Sequence, residues 1–465
     1  MVGSPEPVVA QSVARAPEHP SVWRQKTAMN VSSATPAQPA PLECAHMNPF
    51  GSVEAIVDQS KKAIRASDRS GARIWRRMIA AGLVTGCFSL GSYVALAATD
   101  SDTSYVDGSA IITKPENVTI MPRAYVGPFA KLIAHKRIIV GDTTNVQDNV
   151  TIDATDEAVE LGDMVILAHG ATVKNGTKFG TEGHCPAPAA DAHGGHGSVD
   201  KCPSFLGFNA EVEGAIIEKD TMVMHLARVG PGVRIPSGRK VPSGFNITSQ
   251  DQVMARTLPL VAGDHDFMAG VIHVNLTFAN TYAKLHSEDA THSKGINHDP
   301  GNADFNPFRE LPTLNGVRTR DPNFRNRIIG DVRMADTKEA LDKVMGNHDA
   351  IRADEGDPFE VGTIAKMGDE VTFHALEHTH VRAGNGVVYG HHVVVHGGPT
   401  PWNDVTEIGD GTVLGDGSVF FRSRLGKNSY VGPRALLQQS DHPAGTVIPD
   451  LWVVVENKWI NRVEW

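Results

Sequence analysis

The amino-acid sequence predicts an all-β fold: a left-handed parallel β-helix of hexapeptide repeats, in two lobes, with a helix after the first. Three observations predict it. An aliphatic residue recurs every six positions, glycine or another small residue usually follows it, and the composition is rich in turn formers, with 45 glycines and 28 prolines among 465 residues. A short fixed period indicates a solenoid whose repeats stack on their neighbours, and six residues is the period of the hexapeptide β-helix.

Charge and composition exclude several classes of protein. The chain has 43 basic and 53 acidic residues and no basic stretch long enough to follow a phosphate backbone, so we expect no nucleic-acid partner. With 21% charged and 41% hydrophobic residues, it is neither disordered throughout nor polytopic in a membrane. Four cysteines are too few for a thiolate zinc finger or an iron–sulfur protein, whereas 21 histidines are compatible with a histidine metal site.

Residues 1–97 are predicted to be a leader that precedes the fold. Arg76 and Arg77 are followed by an uncharged run, 78–97, that ends in small residues and is typical of a secretory signal peptide. The alternatives are an uncleaved membrane anchor and a lipoprotein that begins at Cys87. We therefore expect an exported, periplasmic or extracellular protein, which contacts a membrane only if the segment 78–97 is uncleaved.

Removal of the leader leaves two cysteines, Cys185 and Cys202, in one glycine-rich loop. In an oxidising compartment, two cysteines that close a short loop favour a disulfide. The alternative is a metal cluster of these cysteines with histidines of the same loop, a weaker match to zinc-ligand spacing. Those histidines are His184, His193 and His196.

The six-residue period divides the chain into lobe one (98–285), a connector (286–360) and lobe two (361–465). We call the periodic aliphatic and aromatic residues axial, because they are expected to fill the centre of each triangular coil of about 18 residues. In lobe one they are Val140, Val146, Ile152, Leu161, Leu167 and Val173; in lobe two they are Val361, Met367, Phe373, Ile408, Leu414, Phe420, Leu425, Val431 and Leu437. Helices are predicted over 273–285, after lobe one, and 337–345, in the connector.

The histidines of lobe two are spaced in phase with its repeats. His374 follows the axial Phe373 and His396 follows Val395, which places both at the same corner of neighbouring coils, where two imidazoles can share one metal. His391 lies on a different face of the same coil as His396. It completes a three-histidine site only if a neighbouring molecule presents it, which predicts a cyclic trimer with metals between subunits.

These motifs resemble those of the γ-class carbonic anhydrases. The segment 373–377 (FHALE) matches the family's first ligand motif, and His391 and His396 match its pair of histidines five residues apart. The coils over 408–437 are similar as well. The resemblance implies a left-handed β-helix homotrimer with a three-histidine Zn²⁺ site between subunits, with Fe²⁺ or Co²⁺ as alternative metals.

The two lobes depart from the family pattern in complementary ways. Lobe one keeps Gln147, within a motif whose glutamine in the family hydrogen-bonds the metal-bound water, but its three ligand positions read Asp153, His169 and Lys174. Lobe two has Gly368 in place of the glutamine and no clear counterpart of the family's arginine. Either packing brings Gln147 to the site of lobe two, or activity is reduced. His169 would likewise contribute to an interface that both lobes form.

By this resemblance, the expected function is reversible hydration of CO2 to bicarbonate by a metal-bound hydroxide. The implied ligands are His374, His391 and His396, with Glu377 to orient or relay the proton and Gln147 to orient the water. Two other functions fit a hexapeptide β-helix. One is a non-catalytic assembly protein, and the other is an acyltransferase, which needs a histidine base and a pantetheine groove but no second or third metal ligand.

Overall fold

The computed structural model describes residues 103–186, 201–288, 311–319, 325–355 and 358–465. The predicted leader, 1–97, lies outside these residues, as do His193 and His196. Within the described ranges, no helix is long and apolar enough to cross a membrane.

Lobe one is a parallel β-helix with three sheets, in which each strand pairs with the strand one coil further on. The first sheet contains Tyr105–Val106, Tyr125–Val126, Asn145–Val146, Val165–Leu167, Ser204–Leu206, Thr221–Val223, Arg239–Val241 and the antiparallel Leu258–Pro259. The second contains Ile111–Thr113, Lys131–Ile133, Thr151–Asp153, Thr172–Lys174, Glu211–Glu213, Arg228–Val229 and Asn246–Ile247. The third contains Val118–Ile120, Ile138–Val140, Val159–Leu161, Lys178–Phe179, Ile216–Ile217 and Arg234–Ile235.

Lobe two repeats this architecture. Its first sheet contains Thr313–Leu314, Val317–Arg318, Val332–Met334, Phe359–Val361, His380–Ala383, Val405–Ile408, Arg424–Leu425 and Asp441–His442. Its second contains Arg327–Gly330, Ala350–Ala353, Thr372–Ala375, Val394–Gly397, Val419–Phe421, Leu436–Gln438, Trp452–Val455 and the antiparallel Lys458–Arg462. Its third contains Ile364–Met367, Val387–Tyr389, Val413–Leu414, Tyr430–Val431 and Val447–Ile448. The predicted fold of two strand-rich hexapeptide lobes is confirmed.

The axial residues form the core of each lobe. Every axial residue predicted above is at most 3% exposed, and those of each lobe belong to one continuous apolar cluster. Stacked coils bring each axial side chain onto the next, so Val146 pairs with Leu167 and Leu414 with Val431. The burial of these side chains is the main driving force available to such short strands.

The small residue after each axial residue is required by how closely the coils approach. A Cβ atom added to Gly141 would lie 2.1 Å from the carbonyl oxygen of Gly162, and one added to Gly162 would lie 2.0 Å from that of Gly180. The obstructing atoms belong to the backbone, so they cannot rotate away. The small residue in the repeat therefore reflects the coil-to-coil distance.

The predicted helix after lobe one is longer than the sequence indicates. It spans Ala262–Glu288, and we call it the long helix. The helix predicted over 337–345 is Lys338–Val344, with the Thr337 hydroxyl as N-cap, accepting a hydrogen bond from the Ala340 amide. The remaining helical segments are the 3-10 turns Pro115–Asn117 and Gln250–Gln252 and the single α-helical turn Val253–Arg256.

Lobe two begins before residue 361, within the segment interpreted as a connector. Strands of both its first and second sheets lie between Thr313 and Ala353. These coils do not show the regular six-residue pattern, because inserted residues lengthen them beyond 18 residues. Ile351 pairs with Phe373, and Phe373 pairs with Val395. Each excursion shifts the phase of the six-residue period.

The two lobes and the long helix share an apolar cluster at their contact. Its buried members are Ile166, Ala168, Phe205, Phe208, Met222 and Leu226 of lobe one, Met268 and Ile272 of the long helix, and Val394, Val419, Phe421, Leu436, Val453 and Val463 of lobe two. The predicted disulfide between Cys185 and Cys202 is present, at the base of the loop that leaves lobe one.

We expect Gly162→Ala to lower the free energy of unfolding by about 3 kcal/mol, because the new methyl group overlaps the Gly180 backbone. Gly108→Ala is the matched control, since a Cβ atom there meets nothing within 4 Å, and we expect it to change stability by less than about 0.5 kcal/mol. Urea denaturation followed by circular dichroism measures both. Equal losses in the two variants would contradict the close-approach explanation.

Candidate metal centre

The centre lies where one column of side chains from each lobe meets the other. In lobe one, the strand register places Asp148, His169, Phe208 and His225 at equivalent positions of successive coils. In lobe two, it places Arg352, His374, His396 and Phe421 in the same way. Regular stacking thus converts residues far apart in sequence into two facing rows.

Three buried imidazoles converge between these rows. His169 Nε2 lies 3.4 Å from His374 Nδ1, which lies 3.4 Å from His396 Nε2. All three ligand atoms lie within 4.8 Å of one another, and among the described residues this is the one group of histidine, cysteine or acidic side chains with such geometry. Tetrahedral zinc with bonds of about 2.0–2.1 Å separates its nitrogen ligands by about 3.3–3.4 Å, so the spacing suits a single ion.

The remaining ring nitrogens of these histidines face acceptors. His374 Nε2 lies 3.1 Å from an Asp354 carboxylate oxygen, and His396 Nδ1 lies 2.7 Å from the Gly397 carbonyl. His169 Nδ1 lies 3.4 Å from an Asp148 carboxylate oxygen. Acceptors in this position orient imidazole ligands and raise their basicity.

Burial lowers the pKa of all three imidazoles, most strongly those of His169 and His396, and the neighbouring histidines lower these two further. Both nitrogens of a protonated imidazole carry hydrogen, and such a ring cannot bind a metal. The neutral rings favoured here each offer a lone pair. The donor set therefore fits a divalent metal ion.

A buried ionic network supports the centre from one side. Arg352 Nε donates to Asp148 across the lobe boundary at 2.8 Å, and its other arm contacts Asp354, which also accepts from the Tyr282 hydroxyl at 2.5 Å. Burial alone would raise the pKa of Asp354, but the charge of Arg352 and the contact with His374 hold it below its ordinary range. The sequence pattern of lobe two shows no clear counterpart of the family's arginine, but the structure places Arg352 beside the centre. This residue falls in the segment interpreted as an irregular connector.

A small cavity of about 30 Å³ adjoins the histidines, with room for one or two water-sized molecules. Its polar lining includes Gln147 from lobe one, Asn275 from the long helix and Glu355 from lobe two. Within the part of the chain that the structure describes, Gln147 Oε1 and Asn275 Nδ2 are buried without hydrogen-bond partners. The aromatic lining is Phe205, Phe208, Phe267 and Phe421.

Two carboxylates, those of Glu355 and Glu377, lie near each other at the cavity. Glu355 Oε2 lies 3.7 Å from His374 Nε2, and burial, followed by the charge of Glu377, raises the pKa of Glu355. Glu377 itself is half-buried. The sequence analysis identified Glu377 but missed Glu355, which immediately follows Asp354. The sequence Arg-Ala-Asp-Glu at 352–355 was the available signal, but these residues could not be assigned to positions of the six-residue repeat.

The structure unites two of the three predicted ligands and supplies a different third imidazole. His374 and His396 meet, as their phase indicates, but the side chain of His391 is 49% exposed and lies beside Asp369, with its Nδ1 accepting the Asp369 amide at 3.0 Å. Within the chain, His169 of lobe one takes the third position, so the cluster forms between lobes. Of the two alternatives for the missing glutamine, the structure shows the first: packing brings Gln147 to the site of lobe two.

The remaining ligand positions of lobe one form polar contacts of their own. Lys174 pairs with Glu211 at 3.1 Å, and the Asp153 carboxylate accepts the Thr155 amide at 2.9 Å. Neither belongs to the histidine cluster. Of its three predicted ligand positions, lobe one thus contributes His169 alone to the centre.

Comparison with curated proteins identifies two kinds of relative, although no family model matches the sequence. A carbonic anhydrase from Methanosarcina thermophila is 28% identical over 205 residues, which cover 39% of this chain and 72% of that protein. The carboxysome assembly protein CcmM of a Synechocystis species is 31% identical over 220 residues, 43% of this chain and 29% of that protein. The CcmM of a Nostoc species is 26% identical over 148 residues, 30% of this chain and 24% of that protein. The chain thus spans about a quarter of the length of the CcmM proteins.

Solved structures add only distant likenesses. A hexapeptide transferase family protein from Anaplasma phagocytophilum has a TM-score of 0.17 and 17% identity, covering 38% of this chain and 91% of its own. An Arabidopsis UDP-N-acetylglucosamine acyltransferase has a TM-score of 0.20 and 10% identity, covering 77% and 74%. These values carry no argument. The strand register, the histidine cluster and the curated relatives agree: the chain is a hexapeptide-repeat protein that is similar to the γ-class carbonic anhydrases and to the CcmM proteins.

Proposed function

We propose that this protein binds one divalent metal ion at His169, His374 and His396 and catalyses the reversible hydration of CO2 to bicarbonate. The observation that carries the proposal is the convergence of three buried imidazoles from two lobes, at spacings that suit one ion, beside a cavity that Gln147 also lines. Similarity to a named carbonic anhydrase supports it. We propose Zn²⁺, with Fe²⁺ and Co²⁺ as alternatives, because imidazole suits all three.

The ion would supply a Lewis acid with an open position, which lowers the pKa of a bound water, as carbonic anhydrases exemplify. The chain would orient the reactants. Gln147 Oε1, a buried acceptor without a partner, is suited to receive a hydrogen bond from that water. Asn275 Nδ2, a buried donor without a partner, is suited to hold an oxygen of the substrate.

The aromatic lining suits an apolar substrate. Phe205, Phe208 and Phe421 present hydrocarbon surface toward a cavity of about 30 Å³, which accommodates a molecule as small as CO2 and favours it over water. Bicarbonate is charged and is less well accommodated by the same walls, which assists its departure.

The proton released by hydration needs a path to solvent. Glu355 lines the cavity, and the half-buried Glu377 is close enough for its charge to raise the pKa of Glu355. We assign the first transfer to the Glu355 carboxylate and the second to Glu377. Carboxylates within hydrogen-bond reach, directly or through one water, serve as general acids and bases.

The similarity to carboxysome assembly proteins favours a second candidate function, a role in assembly without catalysis. Metal content and CO2 hydration separate the two: an assembly protein needs neither. An acyltransferase would need only one histidine and would not depend on metal. Export of the chain and its assembly as a homotrimer stay predictions.

The metal assignment predicts that His169→Ala lowers the metal content from about one ion per chain to near zero, because two imidazoles bind far more weakly than three. His391→Ala is the control and retains the ion, since His391 lies outside the cluster. Elemental analysis after anaerobic purification measures both, with thermal melts to verify folding. Loss of metal from His391→Ala alone would assign the third ligand to His391 of a neighbouring molecule.

The proposed role of Gln147 predicts that Gln147→Leu lowers kcat/KM for CO2 hydration by about 10- to 100-fold while the metal content stays unchanged, because the acceptor that orients the water is lost. Stopped-flow measurement of CO2 hydration provides the test. Gln250→Leu, an exposed glutamine in lobe one, serves as control. Full activity in Gln147→Leu would remove this residue from the mechanism, and absence of hydration in the metal-loaded wild type would favour the assembly function.

A further inference from the structure

An arginine outside the described machinery lies one aromatic ring away from the cavity. Phe421 lines the cavity, with its ring centroid 5.5 Å from that of His396. The guanidinium carbon of Arg422 lies over the same ring, 4.5 Å from its centroid. Phe421 thus contacts both the Arg422 charge and a proposed metal ligand.

The fold makes room for this side chain. A Cβ atom added to Gly398 would lie 2.3 Å from Arg422 Nε and 2.8 Å from its Cγ, so the arginine stem lies directly against the glycine backbone. The Arg422 amide donates to the His396 carbonyl at 3.0 Å. The side chain is thus held between the Phe421 ring and a bare stretch of backbone that follows a ligand.

The charge of Arg422 has no counter-ion in the described residues. No carboxylate there forms an ion pair with it, and its buried Nε has no hydrogen-bond partner. Burial lowers the pKa of Arg422 to about 10. Arg352, the other arginine beside the centre, has two carboxylate partners, Asp148 and Asp354.

The Arg422 side chain is partly exposed, but its buried Nε has no hydrogen-bond partner, and proteins ordinarily pair a charge that is removed from water. Arg422 is also close enough to the site to lower the pKa of His396 and of His225, although burial is the larger cause for both. Arg422 places a positive charge against Phe421, one wall of the cavity from which the proposed reaction would release an anion.

We propose that Arg422 is a binding site for a small planar oxyanion of the carboxylate or bicarbonate class, which supplies the missing counter-ion. The planar guanidinium presents paired N–H donors that match two oxygens of such an anion. Identification of the physiological ion as departing bicarbonate rests on the proposed function. The anion site itself rests only on the contacts of Arg422.

Isothermal titration of the metal-loaded full chain with sodium formate, at constant ionic strength, tests the site. We expect Arg422→Gln to weaken formate binding at least tenfold. Arg434→Gln is the matched control, because Arg434 also lies over an aromatic ring, 4.7 Å from the Trp465 centroid, but is exposed. It should bind formate as the wild type does.

His169→Ala distinguishes this site from an anion bound to the metal. If Arg422 binds the anion, formate binding persists in His169→Ala and is lost in Arg422→Gln. Binding that disappears in His169→Ala and persists in Arg422→Gln would overturn the inference.

Thermal melts give a second readout that does not depend on His169→Ala folding. Arg422→Gln removes a partly buried charge that has no ion-pair partner among the described residues, so without formate its Tm should equal or exceed that of the wild type, and formate should raise the Tm of the wild type alone. A variant that is destabilised and responds to formate like the wild type would show a purely structural role. Formate binding without CO2 hydration would reject the proposed function but leave the anion site intact. CO2 hydration without formate binding would reject the anion site but leave the proposed function intact.

Discussion

Buried ion pairs between the two lobes set the register in which the lobes face each other. In one of them, Arg352 of lobe two contacts Asp148 of lobe one, and the buried Asp148 loses this cation if Arg352 moves. A slip of one coil would place Arg352 opposite His169 and leave Asp148 against apolar surface. With the pair in place, the next coil brings His169 to His374 and His396, and the coil beyond packs Phe208 against His396 and Phe421. The candidate metal centre thus depends on the polar contacts between the lobes, which also include the buried pair Arg327–Asp107 and the hydrogen bond that Asn149 donates to Thr372.

The duplicated architecture divides one site between two incomplete copies. Lobe one supplies Gln147 and His169, lobe two supplies His374, His396 and Glu355, and the long helix closes the cavity with Asn275. Neither lobe holds the set alone. The departures of each lobe from the family pattern are therefore complementary, because a residue is needed only in the lobe that presents it to the shared centre.

The accuracy of the sequence-based prediction follows the regularity of the repeat. Axial residues and the small residues after them were identified because one coil determines where the next must lie, and the core and the glycine contacts confirm them. The early coils of lobe two were missed because excursions interrupt the phase, and Arg352 and Glu355 were missed with them. The helix predicted over 337–345 was found because a helical pattern is local to the chain.

The sequence by itself determined the coil, because period, axial burial and glycine spacing are properties of neighbouring residues along the chain. It also determined which residues share a column, and hence that His374 and His396 meet. Which column faces which was decided only by the tertiary structure. The meeting of His169 with His374 and His396, and the delivery of Gln147 to lobe two, result from how the lobes pack. That packing involves buried ion pairs and an apolar cluster whose members are far apart in sequence. Contacts of such long range leave no periodic trace in the sequence.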